Sequence, residues 1–331
     1  MRRDGSVSAE VFPHFVGCGR SGTTLFRNIF DAHSRLAVTH EAHFIGPMAK
    51  QRARYETTGG FDEEAFVTDL FRDSNFRRQG LDEDSVRKVL DSSRPRTYAD
   101  AVRAVFSLYA REQGKELYGD KTPGSVSHIE LIATLFPESK FVHIIRDGRA
   151  VALSYLERPE WGPRTMAEAA NHWKSRVSRG REAGRDLGPD RYIEARYEEL
   201  VEDPESVTRK LCAFLGLEFE EPMLDFHKRG REFISETKDP EAFKNLAKPV
   251  GGELRDWAEE ISESDLSLFD AIAGDHLRDL GYEVLAPSPS ISTRVRVAGA
   301  AIAWQGKRLM SVLPSRGKES SDVAEPGREA G

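Results

Sequence analysis

The sequence predicts an α/β fold, a P-loop-like parallel sheet flanked by helices on both faces. Three observations carry this reading. Apolar runs of strand length at residues 11–17 and 140–145 each end in a polar, glycine-containing turn and lead straight into a helical pattern. Strand and helix patterns then alternate toward residue 281, as βαβ units do. The 331 residues, 39% apolar and 31% charged, suffice for one large domain with a polar surface.

The elements follow in order. Residues 11–17 read as a buried strand and 17–24 as a glycine-punctuated turn. Residues 25–32 continue as a helix whose apolar face holds Leu25, Phe26, Ile29 and Phe30. A long helical stretch is expected over 42–115, with starts near Asp62, Asp82 and Tyr98 or Asp100. A short strand at 117–119, a helix at 126–136, the strand 140–145 (KFVHII) and a helix over 147–156 come next. A long helix over 165–186 precedes a strand at 191–195. Asp203-Pro204 opens a helix, since Asp caps and Pro fits a first turn that needs no N–H; Gly216 stops it. The last core helix spans 265–280 and ends at Gly281. Pro287 and Pro289 mark a linker. The domain is therefore expected over 10–285, with 42–115 a helical insertion and 286–331 a linker and a basic amphipathic or disordered tail.

Composition excludes some function classes. A net charge of −7 gives no reason to expect nucleic acid or an anionic membrane as the main partner, so any anion site must be a local basic pocket. Two cysteines far apart, Cys18 and Cys212, form no disulfide framework and point to a reducing, cytoplasmic location. Residues 1–10 have no apolar stretch behind Arg2 and Arg3, unlike a signal peptide. No window reaches the roughly 18 apolar residues of a membrane span.

The chemistry concentrates at two strand ends, where ligands sit on parallel sheets. Gly17-Cys18-Gly19-Arg20-Ser21-Gly22-Thr23-Thr24 spaces its outer glycines as a nucleotide-triphosphatase loop does. Backbone N–H groups of such a turn, with the following helix N-terminus, cradle an anion. The lysine expected before the last Ser/Thr is replaced by Thr23, and the cation has moved to Arg20. The strand KFVHII ends in Arg146, where an Asp for Mg²⁺ is often found. Phosphate recognition is thus kept while the apparatus for a metal-bound triphosphate is lost, and no metal is expected. An ordinary glycine turn is the plainer alternative. At the second strand end, Arg146 and Ser154 have side chains that can share one phosphate. There, a plain salt bridge of Arg146 with Asp147 or a neighbour, or Asp147 as a mere helix cap, is the alternative.

Together these segments resemble the family of sulfotransferases that use 3′-phosphoadenosine 5′-phosphosulfate (PAPS), most of all the tyrosylprotein and related bacterial branch. The resemblance covers most of 13–285. It includes Asp31-Ala32-His33, Lys121-Thr122-Pro123, Leu135-Phe136-Pro137, Tyr197-Glu198-Glu199-Leu200, Phe214-Leu215-Gly216 and Lys248-Pro249-Val250. It implies transfer of a sulfuryl group from PAPS to a hydroxyl or amine, leaving PAP. It also implies roles. Arg20 and the backbone of Ser21, Gly22, Thr23 and Thr24 would hold the 5′-phosphosulfate. Arg146 and Ser154 would bind the 3′-phosphate, and Tyr197 would lie near the nucleotide. Lys121 would face the bridging oxygen, and residues 248–257 would close over the nucleotide. Asp256 stands where a cation is often found, which leaves Arg255 for that role.

In-line transfer needs a cation for the leaving oxygen, for which Arg20 and Lys121 are candidates, and a base for the acceptor proton. The histidine that small-molecule sulfotransferases typically carry after Lys-Thr is Pro123 here. The resemblance to the tyrosylprotein branch at THEAHF puts Glu41, 21 positions after Arg20, in the place of the base. His40 and His43 are alternatives, and an exposed helix-start carboxylate is the plain reading of Glu41. Two other functions compete: a kinase with a degenerate phosphate loop, and an inactive PAP-binding scaffold. Residues 42–115 are expected to wall much of the acceptor pocket, with the acceptor itself open. Residues 293–318 hold six Lys and Arg and no acidic residue among apolar ones, so peripheral membrane contact stands beside simple packing on the core.

Overall fold

The computed structural model describes residues 11–225, 255–286 and 290–312, with side chains up to 306. Five strands form one parallel sheet in the order β2-β5-β1-β6-β7: β1 (Phe12–Gly17), β2 (Leu36–Thr39), β5 (Leu117–Lys121), β6 (Ser139–Ile145) and β7 (Tyr192–Arg196). A two-residue hairpin, β3 (Glu56–Thr57) with β4 (Gly60–Phe61), stands apart. β1 lies at the centre and every one of its residues is buried. It pairs with β5 (His14 opposite Asp120) and with β6 (Gly17 opposite Ile144).

Side chains alternate across the sheet because the strand period is two. Phe12 and Val16 pack toward α6 (Tyr98–Glu112) and α7 (Ile129–Leu135), against Phe106 and Ile132. Phe15 packs on the other face against Phe26 and Phe30 of α1 (Thr23–Asp31) and Leu211 and Leu215 of α11 (Pro204–Leu215). A third cluster joins α8 (Gly148–Leu156), α9 (Met166–Leu187) and the helix Glu263–Asp279 through Val151, Trp173, Val177 and Phe269. The expected α/β sheet with helices on both faces is present.

Several expected boundaries fall where their caps put them. Asp62, Asp82 and Asp203 side chains accept from the N–H groups of Ala65, Ser85 and Ser206. Gly216 takes φ 74° at the end of α11. The third start in the insertion is a capping box, Thr97 with Asp100.

Other elements differ from expectation. β2 was not legible, because LAVT is too short for its period to show. The stretch 42–115 is mainly helical but includes the β3–β4 hairpin. The helix expected over 126–136 is a 3₁₀ turn (Pro123–Ser127) followed by α7, since Pro123 and Gly124 break the pattern. The tail carries one long helix, Ile291–Val312. Residues 248–254 of the expected closing segment, and Pro287 and Pro289, lie outside the described residues.

This topology fixes where a ligand can sit. From β1 the chain leaves through α1 toward β2; from β6 it leaves through α8 toward β7, on the opposite side of β1. The carboxyl ends of adjacent β1 and β6 therefore flank a crevice, the switch point of open α/β sheets. Both sequence motifs open onto it.

Candidate active site

The turn after β1 has the conformation of an anion cradle. Arg20 and Gly22 have left-handed backbones, φ 68° and 84°. Alternating hands of this kind turn successive N–H groups toward one concavity. α1 starts at Thr23 with Gly22 as its cap; no side chain caps it and no acidic residue lies in its first turn. Its leading N–H groups are therefore available to an anion. The Ser21 hydroxyl is buried and has no hydrogen-bond partner among the described residues. A Cβ at Gly22 would run into the Tyr197 ring, and one at Gly19 into the Tyr155 hydroxyl. The loop is thus packed so closely at both glycines that a residue with a Cβ does not fit without a shift of its neighbours.

The second motif converges on the first. Arg20 Nε donates to Ser154 Oγ at 2.9 Å. An Arg146 guanidinium nitrogen donates to the Arg20 carbonyl at 3.2 Å, and the same guanidinium lies over the Tyr197 ring, 4.4 Å from its centroid. Trp161 covers Arg20 at 4.8 Å. Burial, with Arg158 and Arg146 nearby, pulls the Arg20 guanidinium below its ordinary value, against Tyr155 and Glu157. Two converging cations favour an incoming anion.

Asp147 is not the partner of Arg146. It caps α8 by accepting from Arg149 N at 2.8 Å, and its carboxylate takes the Arg149 guanidinium at 2.8 Å. Trp257 covers Arg149 from 3.8 Å. The cap reading of Asp147 holds, and the salt-bridge reading of Arg146 with Asp147 does not.

A second group stands at the carboxyl end of β5. Lys121, nearly buried, donates to Glu41 Oε1 at 2.8 Å and lies 3.5 Å from Thr24 Oγ1, on the phosphate loop. His43 Nε2 lies 2.7 Å from Glu41 Oε2. Burial alone would raise the Glu41 carboxyl. The Lys121 ammonium and the hydrogen bonds from His43 and Lys121 outweigh it and hold the group well below the usual carboxylate range. The bond to Glu41 raises His43 above its ordinary value, against its partial burial. His40 moves the other way, to about 3, through burial and then the nearby Arg27 and Lys121 charges.

The segment carrying Glu41 is held by contacts the sequence did not signal. Asp120 Oδ1 accepts from Thr39 Oγ1 and from Ala42 N, both at 3.3 Å, and Thr122 Oγ1 bridges Ala42 N (2.8 Å) and Asp120 (2.9 Å). Buried Gln79, from the insertion, takes His40 N at 3.1 Å and donates to His40 O at 2.8 Å. Clamps between distant segments have no local spacing to give them away.

The site residues thus fall into two adjoining groups: Arg20, Arg146, Ser154 and Tyr197, and Lys121, Glu41 and His43, with the loop 21–24 between them. Arg255 is not joined to the first group directly. Its guanidinium is held by Glu157, at 2.7 Å, and by Glu260. A hollow of about 740 Å³, lined in part by Arg181, Tyr192, Glu194 and His276, lies at the β7 edge and contains none of these residues.

Comparison with known proteins identifies the family. The family model of the sulfotransferase family matches residues 14–221. Protein-tyrosine sulfotransferase 2 of Gallus gallus is 26% identical over 288 residues, 83% of this chain and 70% of that protein. Protein-tyrosine sulfotransferase A of Caenorhabditis elegans is 22% identical over 292 residues, 87% and 71% of the two chains. Among solved structures, the sulfotransferase domain from the curacin biosynthetic pathway superimposes with a TM-score of 0.53 at 19% identity, over 83% of this chain and 99% of that one, a likeness of fold. A triphosphatase-type loop stripped of its lysine, an arginine pair gathered at the switch point and a family match across both motifs lead to one assignment: the chain belongs to the sulfotransferase family and is an enzyme that uses PAPS as its sulfuryl donor.

Proposed function

We propose that the enzyme transfers the sulfuryl group to a hydroxyl or amine acceptor by in-line displacement, with Glu41 as general base. One observation carries the reading: Glu41 and Lys121 share a hydrogen bond at the edge of the loop into which Arg20, Arg146 and Ser154 converge. The N–H groups from Ser21 to Thr24 and the Arg20 guanidinium hold the 5′-phosphosulfate. Arg146 and Ser154 hold the 3′-phosphate, with the Tyr197 ring beneath the arginine. Arg255 is a further candidate for the nucleotide and must exchange Glu157 or Glu260 for it.

In the reaction the acceptor oxygen or nitrogen forms a bond to sulfur as the bond from sulfur to the bridging oxygen breaks. Glu41 takes the acceptor proton. Lys121 and Arg20 stabilise the negative charge that collects on the departing phosphate oxygen of PAP. A carboxylate paired with Lys121 is a weak base. When Lys121 turns to the bridging oxygen, Glu41 loses its strongest stabilising charge and its proton affinity rises. The base thus strengthens as the donor docks. His43 supports a second reading in which it takes the proton, because its ring nitrogen sits 2.7 Å from Glu41. The insertion 42–115 supplies the acceptor wall, since Gln79 joins it directly to the Glu41 segment. Buried free thiols at Cys18 and Cys212 support the cytoplasmic reading.

Calorimetry with PAP and with ATP, each with and without Mg²⁺, tests the donor site. Tight PAP binding indifferent to Mg²⁺, with weak ATP binding, is expected; Mg²⁺-dependent ATP binding that exceeds PAP binding overturns the proposal. Release of PAP from PAPS by the enzyme in the presence of acceptor mixtures separates a working enzyme from a scaffold.

A further inference from the structure

The helix Ile291–Val312 has two faces, and among the described residues one of them packs on the domain. Thr293 is buried, with Oγ1 2.9 Å from Ser290 Oγ and 3.3 Å from Ser267 Oγ. Val297 packs into the cluster of α8, α9 and the helix Glu263–Asp279, and Ala300 and Trp304 continue the same stripe, half-buried. Arg296 reinforces the docking from its side, donating to Ser264 Oγ at 2.6 Å. These contacts hold the helix on the domain as a fixed element.

At 100° per residue, Ile291, Val295, Ala298 and Ile302 fall on the opposite face. All four are exposed; Ile291, Val295 and Ile302 are 82%, 67% and 73% accessible. The exposed Arg294 borders the stripe. From residue 290 to 318 the sequence holds six Lys and Arg and no Asp or Glu, in a chain of net charge −7. Among the described side chains Arg294 stands beside the apolar stripe, Arg296 is turned to Ser264 and Asp265, and no described residue covers the stripe.

We propose that this face lies on an anionic lipid surface, with Ile291, Val295 and Ile302 in the acyl boundary and the exposed Arg294 among the headgroups. An exposed apolar stripe bordered by a cation, on a docked helix in a basic stretch of sequence, is an arrangement that binds in the plane of a membrane interface. A second copy of the chain is a poorer occupant. The helix is about 33 Å long, and a stripe of three large side chains falls short of the roughly 800 Å² per partner of a stable dimer. The proposal does not depend on the assignment of the catalytic residues.

The test is flotation of the full chain with vesicles of phosphatidylcholine alone and of phosphatidylcholine mixed with phosphatidylserine, for wild type and for Val295→Glu/Ile302→Glu. Both positions are exposed, so the fold is expected to persist; PAP calorimetry and the melting temperature verify it and report on the donor site separately. Wild type is expected to float with the mixed vesicles, far less with neutral ones, and to be released by salt. The double variant should lose about tenfold or more in partitioning with PAP binding unchanged. Wild type that stays below the mixed vesicles overturns the proposal, as does a variant that floats equally well. A wild-type dimer in light scattering that the double variant dissolves also overturns it, by making the face a self-contact.

Discussion

Replacing Glu41 by Gln perturbs the proposed chemistry with the least disturbance of shape. The glutamine oxygen can still accept from Lys121, so the 2.8 Å contact has a neutral successor. Proton acceptance is lost, and loss of a general base costs about 10²–10⁴ in rate, or about 3–5 kcal/mol in the barrier at 1.36 kcal/mol per decade. Two further consequences follow from the contacts of Glu41. The nearly buried Lys121 loses its counter-charge; a charged group left short of its partner costs about 1–3 kcal/mol, and the lower end applies because Glu41 is itself partly open to water. His43 loses the bond that raises it, so its titration should fall back toward or below about 6.5. Single-turnover rates at saturating acceptor, PAP calorimetry and the His43 imidazole signals by NMR as a function of pH read the three effects. The expected result is a slow enzyme with near-normal PAP affinity and a lowered His43. Near-normal turnover in Glu41→Gln, with loss in His43→Ala or His40→Ala, would refute the assignment of the base. Activity in all three variants would also refute it and point to an acceptor acidic enough to ionise unaided.

Other outcomes follow from the same contacts. Arg146→Ala and Ser154→Ala should weaken PAP binding by about 1.5–3 kcal/mol, the worth of a charge-assisted hydrogen bond, and weaken an analogue lacking the 3′-phosphate much less; equal losses in calorimetry contradict the role. Lys121→Met should raise the Glu41 carboxyl by about 1–3 pH units and move the acid limb of kcat/KM upward, whereas an unmoved limb detaches Lys121 from the base. In the wild type, Glu41 lies lower in the folded protein than its unfolded value of about 4.3, so its contribution to stability is in place above that pH and is lost as pH falls toward the folded value. The stability of Lys121→Met, read by denaturant unfolding at several pH values, should therefore fall less steeply than that of wild type as pH drops below about 4.3. Gly22→Ala should destabilise by about 1–3 kcal/mol, because a Cβ at φ 84° is strained and meets the Tyr197 ring, and should impair PAP binding; a full-affinity variant refutes the cradle geometry.

What could be read along the chain alone is what local chemistry specifies. The β1 and β6 runs, the glycine spacing of the loop, and the caps Asp62, Asp82 and Asp203 depend on neighbours a few residues away, so pattern and spacing reveal them. Arg20 and Arg146 entered the site because they flank such local features, one inside the loop and one at a strand end, whereas Lys121, Glu41 and Tyr197 entered through the family resemblance. The tertiary structure alone decided the rest. The strand LAVT became β2 only by pairing with β5, a long-range contact without a local trace. Arg146 could have paired with Asp147; the folded chain gives that carboxylate to Arg149 and turns Arg146 toward Arg20. The family resemblance singled out Glu41, but its contact with Lys121, 80 positions away, and the clamp of its segment by Gln79 and Asp120 exist only in the folded chain. Local sequence sets which conformations each segment prefers. Which charged groups meet, and so which are neutralised and which stay open to a ligand, depends on contacts between distant segments that exist only once the sheet has assembled.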